Sequence, residues 1–189
     1  MLNVTDNLVK IEGILSEVDL QESSFVNRNG QTIPCVKGEI KIRIPETPKF
    51  NKVREIPIRI FASKYTNKGT DNPAYDSVYR VMTEFKSIAA VGEAEADRIR
   101  TTGSIEMNEY YGKNGNLVSF PRVSASFFNK VNKTDMKPTA TFTMNFVVGS
   151  SKEEIVNDET TGRIIVNGAI VKYGEVVDIV PFYAESESA

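Results

Sequence analysis

Histidine is absent from this 189-residue chain, and Cys35 is its only cysteine. Without histidine, a Ser-His-Asp triad, a Cys-His pair and a His-ligated zinc site cannot be built. A single cysteine can form neither an internal disulfide nor a cysteine-based zinc site, which fits a cytoplasmic protein. The composition therefore excludes several common catalytic and zinc centres, and we expect no cofactor.

The chain also lacks the glycine-rich loops that cradle phosphates, because neither G-x-x-x-x-G-K-[ST] nor G-x-G-x-x-G occurs in it. Its carboxylates are scattered through charged segments such as residues 93–97, a pattern typical of a solvated loop. No run approaches about 20 apolar residues, which excludes a transmembrane helix. Residues 1–10 lack the basic and apolar regions of a secretory signal. We therefore expect a cytoplasmic protein that is neither a membrane protein nor an enzyme.

Apolar residues make up 40% of the chain and charged residues 25%, which is ordinary for a globular protein of one or two domains. The formal net charge of −2 argues neither for nor against a nucleic-acid partner. Non-specific binding depends on a local stripe of Lys and Arg rather than on the total charge. Whether the chain can bind nucleic acid therefore depends on whether its basic residues lie together on one surface.

Apolar and polar residues alternate over most of the chain, which is the period-2 pattern of half-buried β-strands. Asn72-Pro73 is typical of a helix start, with Asn as N-cap and Pro at the first helical position. The pattern predicts strands over residues 9–25, 34–44, 56–65, 98–111 and 117–131, and a helix over 73–88. This order predicts a mainly β protein, a five-stranded OB-fold barrel with one helix between strands three and four. A generic small β-barrel with an incidental helix is the alternative.

The chain beyond this barrel is β-patterned as well, with strands expected near residues 142–148, 163–171 and 176–183. We predict an OB-fold domain over 1–132, a β-rich C-terminal segment over 138–184 and a disordered tail over 185–189. Three strands alone would leave open sheet edges. The segment therefore pairs with the first barrel, pairs with another copy of the chain, or is a partial second OB barrel.

Alternation also assigns a face to each residue of strands two and three. The isoleucines share the inner side of both strands, and the residues between them point outward. By the same reasoning, Phe127 is a core residue of strand five. The outward set includes Lys41, Arg43, Arg59 and Phe61.

On an OB barrel the ligand groove crosses strands two and three, between the loops that join strands one to two and four to five. Cations there can neutralise phosphates, and an aromatic ring can stack on any base, worth about 1–3 kcal/mol. Plainer explanations exist, because exposed Lys and Arg are usually just solvated and the C-terminal segment is an alternative cover for Phe61. The candidate nucleic-acid-binding residues are Lys41, Arg43, Arg59, Phe61, Lys64, Tyr65, Tyr110, Tyr111, Lys113, Phe120 and Arg122.

Several stretches resemble known proteins. Residues 98–115 and 118–131 resemble the strand-turn-strand close of bacterial and phage single-stranded DNA-binding proteins, and residues 8–15 resemble their first strand. Residues 63–75 are similar to a segment of replication-associated proteins from phages of Gram-positive hosts. The resemblance implies an OB fold, single-stranded DNA as partner, and a role in phage DNA replication or recombination inside a bacterial host cell. Bacterial members stack bases on tryptophan, which is absent here, so Phe and Tyr would take that part.

The sequence therefore favours sequence-tolerant binding of single-stranded DNA. Two hypotheses from other classes stay open. One is an OB-fold structural or adaptor module that binds protein through exposed strands, with self-association through the C-terminal strands as one form of it. The other is an enzyme that uses carboxylates and a metal ion, such as a nuclease.

Overall fold

The computed structural model describes residues 7–48, 52–172 and 175–185. The predicted order of strands and helix is confirmed. The strands are β1 Asn7–Val26, β2 Thr32–Ile44, β3 Arg54–Ser63, β4 Arg98–Tyr111, β5 Leu117–Val131, β6 Thr139–Met144, β7 Val147–Val156, β8 Glu159–Lys172 and β9 Glu175–Glu185. The helices are α1 Pro73–Glu84 and the single turn α2 Ile88–Val91, both between β3 and β4.

The first five strands close into a barrel. β1 pairs antiparallel with β2 on one side and with β4 on the other. β2 pairs antiparallel with β3, and β3 pairs in parallel with β5 at Ile58–Val123 and Arg59–Ser124. The sheet order β2-β3-β5-β4-β1, closed by the β1–β2 pairing, is that of an OB fold. The predicted fold class is therefore confirmed.

The barrel interior is filled by aliphatic side chains from alternate strand positions. Ile40, Ile42 and Ile58 have no exposed surface, and Ile60 is 1% exposed. Burying a side chain of this size contributes about 1.5–3 kcal/mol to stability. Because these residues fill the inner side of β2 and β3, the residues between them are held on the outer side.

The helix α1 begins where the sequence predicts. The Asn72 Oδ1 atom accepts a hydrogen bond from the Ala74 amide at 3.1 Å, so Asn72 is the N-cap, and Pro73 follows it. The predicted end at residue 88 is wrong, because Phe85 adopts an extended conformation. The Lys86 amide donates to Asp97 Oδ2 at 2.8 Å instead of continuing the helix. The Asp97 carboxylate thus accepts the amide that would continue the helix, and α1 ends one turn before the predicted residue 88.

Strand β5 contains the one clear error in the predicted core. Phe127 is 52% exposed, and its neighbour Phe128 is buried. The Phe128 amide donates to Ser77 Oγ at 3.1 Å, and Thr101 Oγ1 donates to the Phe127 carbonyl at 2.7 Å. These bonds to α1 and β4 rotate the end of β5, so strict alternation fails after Ala125.

The described chain forms two compact units. One holds the barrel, with residues 8–106 and 122–142; the other includes residues 107–121 and the chain from Thr143 onward. β6 joins the barrel sheet beside β1, whereas β7, β8 and β9 form a separate antiparallel sheet. The predicted boundaries at residues 132 and 138 stay predictions, and residues 186–189 of the predicted tail lie outside the described part.

Candidate nucleic-acid interface

The outer face of β2 and β3 carries the four residues that alternation assigned to it. Across the two strands, Lys41 lies opposite Pro57 and Phe61 lies opposite Lys37. Arg59 lies opposite Glu39, and Arg43 opposite Glu55. The face therefore exists as one surface, but carboxylates alternate with its cations.

At one end of this face, both cations are bound to carboxylates. Lys41 Nζ lies 2.7 Å from Glu17 Oε2, and the hydrogen bond with Glu17 raises the pKa of Lys41. The Arg43 guanidinium lies 3.1 Å from Glu55 and 3.2 Å from Glu93. We call Lys41, Arg43 and their carboxylate partners the ion-paired end. Its cations are already neutralised, so they offer little free charge to a phosphate.

The surroundings of Glu55 favour its charged form. Ser16 Oγ donates to Glu55 Oε1 at 2.6 Å, and this bond, with the charge and hydrogen bonds of Arg43, lowers the pKa of Glu55 despite partial desolvation. Hydrogen bonds to the ionised form of a carboxyl group stabilise that form. Hydrogen bonds from both Ser16 and Arg43 thus hold Glu55 in place at the ion-paired end.

The other end of the face exposes aromatic rings. Phe61 is 56% exposed, and its ring centroid lies 5.6 Å from that of Phe25 on β1. Tyr65 is 37% exposed, and Lys64 Nζ lies 5.8 Å from its ring centroid. Within the described residues, neither Lys64 nor Arg59 forms an ion pair. We call Phe25, Phe61, Lys64 and Tyr65 the aromatic end.

A cleft of about 1090 Å³ opens at the aromatic end, between the β1–β2 turn and the segment after β3. Its lining contains two rings, Phe25 and Tyr65, and two cations, Arg28 and Lys68. No carboxylate is among the described residues that line it. A smaller depression of about 440 Å³ between the two ends is lined by Asp19 and Glu39 as well as two cations. Uncompensated positive charge therefore concentrates in the larger cleft.

Four of the predicted residues lie in the other unit, at the end of the β4–β5 hairpin. Tyr110 and Phe120 meet edge to face with ring centroids 6.3 Å apart, and Tyr111 is 77% exposed. Lys113 lies in the connecting turn and is exposed. Arg122 belongs to the barrel unit, where its guanidinium lies 3.7 Å from Glu106. The hairpin residues thus form an aromatic group of their own.

A family model matches residues 6–187, and its description is YorF. The chain belongs to the YorF family. No curated protein matches the chain by sequence. Among solved structures, it is similar to a mutant of the single-stranded DNA binding protein from Thermus aquaticus at 12% identity and a TM-score of 0.41, covering 93% of this chain and 74% of that one. The OB fold of this YorF-family chain rests on its strand order, not on that likeness.

Among the aromatic and cationic residues of the aromatic end and its cleft, three were not predicted candidates: Phe25, Arg28 and Lys68. The sequence holds a signal for two of them, since the loop between strands one and two flanks an OB groove. Lys68 follows β3, and nothing in the local sequence connects that turn with the β1–β2 turn.

The described residues contain neither a metal-binding cluster nor a membrane-spanning helix. No group of three or more Cys, Asp or Glu side chains is arranged to hold a metal ion. None of the described helices has the length and apolar character needed to cross a membrane.

Proposed function

We propose that this YorF-family protein binds single-stranded DNA without reading its sequence along most of the bound strand, at the aromatic end of the β2–β3 face. The observation that carries the proposal is the exposed Phe25–Phe61 pair beside a cleft with cations and no carboxylate in its described lining. Large apolar rings on an outer strand face have no role in the core. Exposed aromatic rings can instead stack on a flat partner such as a nucleic-acid base.

Exposed rings favour a single strand over a duplex. Base faces are covered by stacking inside a double helix, whereas an unpaired base can lie against a ring. Each base–aromatic stack is worth about 1–3 kcal/mol and tolerates every base, because every base has a π-face. Phe61 and Tyr65 provide two such platforms without tryptophan.

Cations without carboxylate partners supply the phosphate contacts. Arg59 lies two residues before Phe61 on β3, and Lys64 Nζ lies 5.8 Å from the ring centroid of Tyr65. Arg28 and Lys68 line the cleft. Neutralising four phosphates of a single strand releases counterions, and the logarithm of the affinity then falls with the logarithm of salt concentration with a slope of roughly −3. Lys41 and Arg43 would have to exchange a carboxylate for a phosphate, so we expect little from them.

The decisive experiment is a titration of fluorescently labelled oligo-dT at several salt concentrations. Binding that weakens with salt along that slope supports the proposal; absence of binding, or affinity indifferent to salt, contradicts it. Phe61→Ala should weaken binding about 5- to 150-fold through the lost stack, with an unchanged circular dichroism spectrum. The matched control is Phe142→Ala, which removes an exposed ring from β6, a strand that carries none of the proposed binding residues.

The protein would hold DNA rather than cut it. Incubation with single-stranded DNA and Mg²⁺ should leave the strand intact, and cleavage would instead favour the nuclease hypothesis. The sequence resemblance of residues 98–115 and 118–131 supports a role in phage DNA replication or recombination, in the cytoplasm of a bacterial host.

Protein binding through exposed strands is a second candidate, and the C-terminal sheet favours it. Val147, Ile155 and Val176 on its two edge strands are each more than 60% exposed. Apolar edge strands can add a strand from another chain, including a second copy of this one. Sedimentation over a range of protein concentrations tests this, because a mass that stays monomeric throughout excludes self-association.

A further inference from the structure

Two turns that face the same cleft have the same local construction. In one, the Gly30 amide donates to the Asn27 carbonyl at 3.0 Å; in the other, the Gly69 amide donates to the Thr66 carbonyl at 2.9 Å. Both glycines have φ near +80°, at 77° and 79°. A side chain closes each turn from within, since Asn27 Oδ1 accepts from the Asn29 amide and Thr66 Oγ1 from the Lys68 amide. Both turns are therefore held in one conformation before any ligand arrives.

Each turn presents one cation and one carboxamide as neighbours. The β1–β2 turn offers Arg28 and Asn29, and the turn after β3 offers Asn67 and Lys68. All four side chains are exposed and line the cleft. Within the described residues, the carboxamides of Asn29 and Asn67 have no hydrogen-bond partner, unlike Asn27, whose amide donates to Gln31. Two carboxamides and two cations, none with a side-chain partner among the described residues, thus line one cleft from two different turns.

The chemistry of these groups differs from that of the stacking rings. A cation that binds a phosphate carries no sequence information, whereas a carboxamide offers a donor and an acceptor side by side. That pair matches the edge of a base, and the N6 and N7 positions of adenine fit it with two hydrogen bonds. An aromatic wall of Phe25 and Tyr65 completes the set of contacts that one nucleotide requires.

We infer that the cleft between residues 27–30 and 66–69 takes one nucleotide of the bound strand and reads the edge of its base. Arg28 and Lys68 hold the phosphates on either side of that nucleotide, and Asn29 and Asn67 hydrogen-bond to the base, with adenine the expected preference. The inference rests on the proposed function, and adds a single base-selective position to a groove that is otherwise indifferent to sequence.

The test compares four oligonucleotides of equal length with the full chain: a dT tract, and the same tract with one central dA, dC or dG. Because the rest of the groove tolerates every base, the strand can shift until the preferred base enters the cleft. The oligonucleotide with the preferred base should bind about fivefold or more tightly than pure dT. Equal affinity for all four would overturn the inference.

Variants assign the preference to the cleft. Asn29→Ala combined with Asn67→Ala should abolish the preference: the affinities for the four oligonucleotides should converge to within about twofold of one another, because the phosphate contacts that remain carry no sequence information. Phe61→Ala should weaken all four oligonucleotides alike and keep the preference. A preference that survives the double Asn variant would overturn the inference.

The two proposals fail in distinguishable ways. If no oligonucleotide binds, or Phe61→Ala changes nothing, the proposed function fails. If all four bind equally and Phe61→Ala weakens all four, single-strand binding stands and base reading in the cleft is wrong. Should the double Asn variant lose its fold, the single variants Asn29→Ala and Asn67→Ala provide the same comparison, since both residues are exposed in turns.

Discussion

One end of the outer β2–β3 face is closed by ion pairs, and the other is open. Lys41 and Arg43 at the ion-paired end bind Glu17, Glu55 and Glu93. Phe61 at the aromatic end is 56% exposed and packs against Phe25, which lines the cleft together with Arg28 and Lys68. Lys41 and Arg43 lie on the same outer face as Phe61, yet only the aromatic end has groups left to bind a ligand. A basic residue on an exposed strand thus becomes informative only when its partners are known.

The largest expected effect is a loss of stability from a substitution in β2, the strand that connects the ion-paired end with the aromatic end. Gly38 lies on β2 between them with φ 145°, and a Cβ there would meet the Asp19 carbonyl oxygen at 2.0 Å. Gly38→Ala should therefore destabilise the protein by about 3 kcal/mol, through backbone strain and overpacking. Urea denaturation measures this loss.

Gly30→Ala is the matched control for that substitution. Gly30 also has a positive φ, of 77°, but a Cβ there would meet nothing within 4 Å. Its cost should be limited to the conformational preference, about 1 kcal/mol. Equal losses for Gly38→Ala and Gly30→Ala would show that the contact with β1 does not matter.

A smaller effect distinguishes the charges of the two ends. Lys64→Ala removes a cation without a carboxylate partner, so the salt dependence of oligo-dT binding should become shallower by about 0.7 in slope. Lys41→Ala removes a cation that Glu17 already neutralises at 2.7 Å, so the slope should hardly change. Titrations of both variants across salt concentrations make the comparison. A larger change for Lys41→Ala would mean that the ion pair opens on binding, and would remove the distinction between the two ends.

Most of the fold was predictable because alternation reports burial wherever a strand stays regular. Ile40, Ile42 and Ile58 fit that rule. Phe127 and Phe128 break it, because hydrogen bonds to Ser77 and Thr101 rotate the end of β5, and both partners are more than 20 residues away in the chain. Local periodicity contains no information about such bonds.

The site was predictable only in part, for a related reason. The alternation of apolar and polar residues correctly put Phe61 on the outer face. It could not show that Arg43 is bound to Glu55 and Glu93, which lie twelve and fifty residues further along the chain. The cleft escaped prediction because its two walls, residues 27–30 and 66–69, come together only after β2 and β3 have folded between them. Charge compensation and concavity are both properties of the folded barrel.

The smallest expected effect tests whether the Arg43–Glu55 ion pair persists in solution. Glu55→Gln keeps an oxygen for Ser16 and removes only the charge that faces Arg43. Because the Arg43 and Glu55 side chains are 31% and 41% exposed, solvent weakens their attraction, and the variant should lose only about 0.2–1 kcal/mol of unfolding free energy at neutral pH. The folded-state pKa of Glu55 is lowered from 4.5, so the stabilisation is present in full above that value and is lost as the pH falls through the lowered pKa. The unfolding free energies of the unmodified protein and of Glu55→Gln, measured by urea denaturation, should therefore become equal in acid.

Glu46→Gln provides the control for this last comparison, since it removes an exposed carboxylate after β2 that forms no ion pair within the described residues. Its unfolding free energy should follow that of the unmodified protein from neutral pH into acid. If Glu55→Gln behaved in the same way at neutral pH, Arg43 would not be held by Glu55 in solution. The guanidinium would then be available to phosphate, and the binding groove would extend along the whole face rather than stop at its aromatic end.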